Sequence, residues 1–302
     1  MESKKAKIAV IGLGNLGRGV LDAAEIAPDV EIAGAVSSRA ESLKRNYAFP
    51  VVKEVAELEN VEIAILCGPT KQVTQLAPQY HEAGISTVDS FDMHAEHNWH
   101  HYQTLKKSAL RHQVRALTSG GMDPGFCSMV RALFQIPTPR GISYVNYGPG
   151  TSLGHSVAVR AVKGVKNGIS ITIPKGFGLH RRDCFIETEK GADKEKIRKE
   201  ILKDDYFSHD ETYVYFVDDV ENRYDVGHKV VIERKGVSGK THNQHYTFQT
   251  TFTNNPSTGQ LLIACARALS KQPPGIYTMI DMPIRDFLTP IKSEEQLFGE
   301  VI

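Results

Sequence analysis

An apolar strand that runs into Gly-x-Gly-x-x-Gly leaves a chain few folds to choose from. Here residues 7–11 lead into Gly12-Leu13-Gly14-Asn15-Leu16-Gly17. The first glycine permits a tight turn, Gly14 lets the backbone approach a pyrophosphate, and Gly17 lets the following helix pack on the strand. The free N–H groups and positive pole of that helix favour phosphate, so Gly12, Gly14, Asn15 and Leu16 are candidate cofactor contacts. A helix over 18–27, a stop at Pro28-Asp29 and a second apolar strand over 30–36 complete a βαβ unit. The pattern predicts a Rossmann-type, doubly wound parallel sheet that binds a dinucleotide.

Which dinucleotide depends on the end of the second strand. An NAD site usually has an acidic residue there, to accept from the ribose 2′-hydroxyl. This chain has Ser37-Ser38-Arg39 instead. No carboxylate repels a 2′-phosphate, two hydroxyls can donate to it, and Arg39 can pair with it. Hydrogen bonds to charged groups contribute about 1.5–3 kcal/mol, or roughly ten- to a hundredfold in affinity. The expected cofactor is NADP(H).

Later strand ends supply further candidates. The apolar run 61–66 ends at Cys67-Gly68-Pro69-Thr70, where such sheets line their ligand crevice. Cys67 reads as a small buried thiol beside the cofactor rather than a nucleophile. A helix over 74–83, capped by Gly84, precedes a short strand over 85–88 that ends in Asp89-Ser90-Phe91-Asp92. The histidines that follow (His94, His97, His100 and His101) lack HExxH spacing and a completing carboxylate or cysteine, so a polar surface helix is expected and no metal. A helix over 104–115 and a strand over 114–118 should close the first domain. Ser119-Gly120-Gly121-Met122-Asp123-Pro124-Gly125 then makes a backbone-dominated turn bordering the cofactor. Asp123 there either caps a helix starting at Pro124 or faces a ligand ammonium.

Beyond residue 142 the pattern changes. Stretches 142–147, 168–174, 183–188, 212–217, 229–234 and 247–253 alternate or are rich in β-branched and aromatic residues, with helices only near 156–163 and 194–203. They predict a second, α+β domain with a mixed, largely antiparallel sheet. The segment 148–155 reads as a functional loop. An amphipathic helix over 259–270 returns to the first domain, and the proline-rich tail from Lys271 wraps its surface. The expected domains are 1–121 with 256–302, and 122–255.

At 302 residues the chain is long enough for one large globular domain or two ordinary ones, and its net charge of +1 leaves no basic footprint for nucleic acid or an anionic membrane. No apolar stretch approaches the roughly 18 residues of a membrane span, and the N-terminus has no signal-peptide core. Four scattered cysteines without CxxC argue against zinc and suit a reducing cytoplasm.

The combination of Gly12–Arg18, Val88-Asp89-Ser90-Phe91-Asp92-Met93-His94, Met122-Asp123-Pro124-Gly125 and Tyr147-Gly148-Pro149-Gly150-x-Ser152-x-Gly154-His155-Ser156, with Arg182-x-Cys184-Phe185, resembles the meso-diaminopimelate D-dehydrogenase family. The likeness runs over about residues 5–270. It implies NADP-dependent, reversible oxidative deamination at the D centre of meso-2,6-diaminopimelate, and a homodimer built through the second domain. It also implies that Asp92 and Asp123 face the reacting ammonium, either as proton acceptor. Thr172, Arg182 and His228 would grip the distal carboxylate, and Met122, Tyr147, Gly154 and Asn254 would complete the wall. Better-known members carry Trp where this chain has Met122. The flexible thioether implies a softer pocket and the shorter, more permissive branch, acting also on other D-amino acids. Other readings are a reductase of the dihydrodipicolinate reductase type, a semialdehyde dehydrogenase, for which Cys127 has no suitable setting, and a non-catalytic NADPH sensor.

Overall fold

In the computed structural model, which describes residues 5–93, 95–223 and 227–302, the first strand shows why the opening segment folds as it does. Strand β1 (Ala6–Ile11) alternates its side chains between two cores: Ile8 and Val10 enter one, Ala9 and Ile11 the other. A strand buried on both faces reads as an unbroken apolar run, as this one does. The same division recurs in β4 (Ile63–Leu66), with Ile63 and Ile65 on one side and Ala64 and Leu66 on the other. Each fully buried Ile or Leu contributes about 1.5–3 kcal/mol. Parallel to these run β2 (Val30–Val36), the two-residue β3 (Val51–Val52), β5 (Ser86–Asp89) and β6 (Arg115–Leu117). The helices Asn15–Glu25, Thr70–Glu82 and Ala95–His112 lie between them in sequence. All three start earlier than their apolar periodicity suggests, at 15, 70 and 95 instead of 18, 74 and 104, because few large apolar residues fall in their opening turns.

The chain divides into two units, one comprising 1–129 and 255–302 and the other 130–254. The second unit holds β7 (Arg140–Tyr147), β8 (Gly150–Thr151), β9 (Val165–Gly176), β10 (Leu179–Thr188), β11 (Glu211–Phe216), β12 (Gly227–Ser238) and β13 (Thr241–Thr253). They form two sheets, not the single one expected: β11-β10-β9-β8 and β13-β12-β7. Only the β10–β11 pair is parallel. The chain changes sheet at Gly148-Pro149-Gly150. Gly148 has φ +91°, and a Cβ there would lie 2.2 Å from the Thr172 carbonyl oxygen, so the crossing needs glycine. The expected functional loop 148–155 is therefore mostly regular, with β8 and then the helix Leu153–Ala161. That helix and Lys194–Lys203, which Asp193 caps on the N–H groups of Glu195 and Lys196, cover the four-stranded sheet through Val159, Ile186, Ile197, Ile201 and Phe207.

The helix Asn254–Ser270 carries the chain back into the first unit. It is not amphipathic: every residue from Leu262 to Leu269 is buried. Arg267 among them forms a fork on the Asp29 carboxylate (2.5 and 2.9 Å) and donates to the Phe287 carbonyl at 3.0 Å. The tail does more than wrap the surface. Residues Gly275–Tyr277 form β14, which pairs parallel with β6 and completes a sheet of order β14-β6-β5-β4-β1-β2-β3. Thus 114–118 does not end that sheet. Three residues after Pro273-Pro274 are too few for periodicity to reveal a strand.

Candidate active site

All seven strands of the first sheet are parallel, so their C-terminal ends share one edge, and the order reverses direction between β4 and β1. Ligands of open α/β sheets bind outside such a switch point. Gly12, at the end of β1, has φ +102° and lies against the backbone of Cys67 and Gly68 at the end of β4. A Cβ on Gly17 would lie 1.9 Å from the Gly12 carbonyl oxygen, so the helix Asn15–Glu25 packs on the turn as tightly as the motif requires. Above Gly14 and Gly68 the space is open: a Cβ on either would meet nothing within 4 Å. The helices starting at Asn15 and Thr70 have no side-chain cap bond and no acidic residue in their first turns. Open backbone, two uncapped helix starts and no opposing carboxylate suit a pyrophosphate.

Ser37 is buried and its Oγ accepts the Arg39 N–H at 3.2 Å, so it shapes the turn, while Ser38 and Arg39 are exposed at the end of β2. Cys67 is half-buried on its surface, yet desolvation pushes its thiol up to about 12, which does not suit a nucleophile. Pro69 is exposed, and the Thr70 hydroxyl donates to Asp92 Oδ1 at 2.9 Å. Ser90, Phe91 and Asp92 follow β5, and Gly120, Gly121, Met122 and Asp123 follow β6. Met122 is buried beside a depression of about 420 Å³ that it lines with Phe126, Pro256, Ser257, Gln260 and Leu261. Asp123 has extended backbone (φ −141°, ψ 126°), the conformation of an N-cap residue, immediately before Pro124.

In the second unit Thr172 and Arg182 are cross-strand partners on β9 and β10, both buried. The Arg182 guanidinium donates to the Thr172 hydroxyl and, through Nε, to Asp210 Oδ2 at 2.7 Å. A salt bridge and a substrate role for Arg182 are thus compatible: Asp210 holds the fork in one orientation. The Tyr147 N–H donates to His180 Nε2 at 2.8 Å, so that nitrogen carries no proton, and the two rings lie 5.2 Å apart. Burial, then the Arg182 charge, hold His180 below the usual imidazole range. His228, buried, stands on β12 with its ring 6.4 Å from Tyr147. Gly154 lies in the first turn of the helix Leu153–Ala161, where Ser152 Oγ meets His155 Nδ1 at 2.8 Å, and Asn254 opens the last long helix. Asp210 and His180 escape sequence reasoning because no spacing links a turn aspartate to an arginine on an earlier strand.

The histidine cluster differs from expectation. His97 and His100 are exposed, but His101 is fully buried, its Nε2 3.1 Å from Asp89 Oδ2 and its Nδ1 2.8 Å from the Thr74 hydroxyl. His94 lies outside the described residues. Among the described residues no three His, Cys, Asp or Glu side chains gather as metal ligands, and no helix is long and apolar enough to cross a membrane.

A parallel sheet with an open glycine turn at its switch point, and a carboxylate on each of two neighbouring strand-end segments (Asp92 after β5, Asp123 after β6), is the arrangement of a dinucleotide-dependent oxidoreductase. Residues 121–179 match the model of the diaminopimelic acid dehydrogenase C-terminal domain. The chain is 44% identical over 295 residues, 96% of its length and 98% of the relative's, to the meso-diaminopimelate D-dehydrogenase of Bacteroides fragilis. Its fold matches the C. glutamicum diaminopimelate dehydrogenase in complex with DAP (TM-score 0.85, 25% identity, 99% of this chain and 100% of that one). It matches an engineered D-amino acid dehydrogenase bound to NADP+ nearly as well (TM-score 0.84, 25% identity, 99% and 100%). The chain belongs to the meso-diaminopimelate D-dehydrogenase family.

Proposed function

We propose that this protein catalyses the reversible, NADP-dependent oxidative deamination of meso-2,6-diaminopimelate at its D centre, giving L-2-amino-6-oxopimelate, ammonia and NADPH. The observation that carries the reading is the pairing of two chemistries in a chain so similar to a named dehydrogenase. One unit has Asp92 and Asp123 at strand ends on the same sheet edge as an open glycine turn, and the other has a buried, oriented Arg182. Diaminopimelate has two carboxylates and two ammonium groups and needs both kinds of partner. Arg182 and Thr172, with His228, take the distal carboxylate; Tyr147, Gly154, Met122 and Asn254 shape the remaining wall.

Gly12, Gly14, Asn15, Leu16 and the Gly68–Thr70 turn hold the pyrophosphate of NADP(H). Ser38 and Arg39 hold its 2′-phosphate on the turn that Ser37 shapes. Cys67, Ser90, Phe91, Gly120, Gly121 and Met122 border the nicotinamide. When bound, the cofactor supplies the hydride acceptor. The protein's own step is to take a proton from the reacting ammonium onto Asp123 or Asp92, because only the neutral amine can expel hydride. Water then releases ammonia from the resulting imine.

The test is NADPH fluorescence after mixing the protein with NADP+ and meso-diaminopimelate at alkaline pH. No increase with that substrate or any D-amino acid overturns the reading. Growth with simple D-amino acids as well supports the permissive pocket at Met122. Wild-type turnover in both Asp92→Asn and Asp123→Asn, with only weaker binding, removes them as proton acceptors. We further infer a homodimer acting in diaminopimelate and lysine metabolism, as the resemblance implies, and a cytoplasmic setting, which the four free cysteines suit. Light scattering reads the first point.

A further inference from the structure

Asp89 and His101 are both fully buried, and no step above uses either. Their bonds nevertheless meet at the two segments that carry Asp92 and Asp123. Asp89 Oδ1 accepts from the Phe91 N–H (2.9 Å), the Ser119 N–H (3.1 Å) and the Thr118 hydroxyl (2.9 Å). Its Oδ2 accepts from His101 Nε2 at 3.1 Å, and its main-chain carbonyl from the Gly120 N–H at 2.8 Å. Phe91 immediately precedes Asp92, and Ser119 and Gly120 immediately precede the turn with Met122 and Asp123.

The ladder alone does not fix these segments. Strands β5 and β6 pair only at Thr87–Ala116 and Val88–Leu117. Beyond Leu117 the Asp89 side chain and carbonyl hold the chain at Thr118, Ser119 and Gly120, alongside the Tyr277 carbonyl, which accepts the Thr118 N–H at 2.9 Å, and Asn98 Oδ1, which accepts the Ser119 hydroxyl at 3.2 Å. His101 ties that hub to a third element. Its ring stacks on Phe91, with centroids 4.0 Å apart and planes within 10°, and its Nδ1 is paired with Thr74. Thr74 lies one turn beyond Thr70, whose hydroxyl donates to Asp92. The Thr74-His101-Asp89 line has the composition of a nucleophilic triad, but the burial of His101 and Asp89 keeps substrate away from both.

We propose that Asp89 and His101 are a positioning pair that sets where the Asp92 and Asp123 segments stand relative to each other. This rests on the functional reading above, in which both aspartates meet the reacting amine. A displacement of about 1 Å at such a site costs on the order of a hundredfold in rate.

The test compares His101→Phe, which keeps the ring and its stack but removes the N–H donor, with His101→Gln, whose amide N–H can stand near Nε2. Turnover of meso-diaminopimelate is measured per NADPH-binding site, titrated by fluorescence, alongside Tm. The expected result is a drop in kcat per site of roughly tenfold or more in H101F, most of it recovered in H101Q. A lower Tm and fewer NADPH sites, with kcat per site unchanged, would mean packing alone and overturns the proposal. Should H101F not fold, Thr74→Val deletes only the hydroxyl on Nδ1. Its kcat per site should fall about threefold at unchanged Tm, and an unchanged kcat there also overturns the proposal. A wild-type protein that makes no NADPH fails the functional reading and takes this inference with it; an active wild type with unaffected variants removes the inference alone.

Discussion

Burying an uncharged histidine makes stability depend on pH in a direction the structure fixes. His81 is fully buried on the helix Thr70–Glu82, with Nδ1 2.9 Å from the Ser108 hydroxyl and Nε2 2.9 Å from the Thr87 hydroxyl. Desolvation, then the nearby His112 charge, lower its pKa from 6.5 to about 4, against a smaller opposing pull from Asp89. Between those values the unfolded chain binds a proton at this ring and the folded chain does not. Stability is therefore fully present above 6.5 and falls as pH drops towards 4. At about 1.4 kcal/mol per tenfold change in proton affinity, the loss reaches about 2 kcal/mol near pH 5 and about 3 kcal/mol below pH 4. The assay is urea unfolding followed by circular dichroism, for wild type and His81→Gln, in steps from about pH 7.5 to 5. The variant starts less stable but should lose about 2 kcal/mol less over that range. Parallel profiles would show that the ring is protonated within the fold and would refute the argument.

Three further outcomes follow from the site. Arg39→Ala should weaken NADP+ about tenfold and leave NAD+ nearly unchanged, read as the ratio of Kd values, since an exposed guanidinium sits at the low end of charged hydrogen bonds. Gly17→Ala places a methyl 1.9 Å from the Gly12 carbonyl oxygen; Tm should fall by the equivalent of about 1–3 kcal/mol and NADPH affinity at least tenfold, by thermal melt and fluorescence titration. Asp210→Asn keeps an oxygen for Arg182 Nε but removes its charge, so KM for meso-diaminopimelate should rise about fivefold with kcat little changed in steady-state kinetics.

The parts of this fold legible from sequence are those whose cause is local. The Gly12–Gly17 turn announces itself because backbone geometry demands those residues. The long strands of the second unit show because β12 alternates buried and half-buried positions over most of its length. The division into two sheets was not legible, since neither β7, with no fully buried position, nor β9, whose buried positions run together at 168–170, has a pattern that names its partner strand. Nor was His101 separable from His97 and His100: on a polar helix a single position decides which ring faces inward. Resemblance points to Thr172 and Arg182, but Asp210, which orients the arginine, lies in a turn whose partner only the folded sheet reveals. Side-chain networks closed across distant strands leave no period in the sequence.

The last strand has a consequence for how the chain must assemble. β14 pairs with β6, so the whole of 130–254 is threaded between two neighbouring strands of one sheet. The first sheet cannot acquire its edge strand, or the buried helix Asn254–Ser270, until the inserted unit has left the ribosome. Closing so long a loop is costly in chain entropy unless the insert has already condensed and shortened it. The natural order is therefore insert first, sheet completion last. A chain stopped before Asn254 would expose the apolar surface that Leu262–Leu269 covers, while excising 130–254 and joining its flanks by a short linker would retain every strand of the parallel sheet.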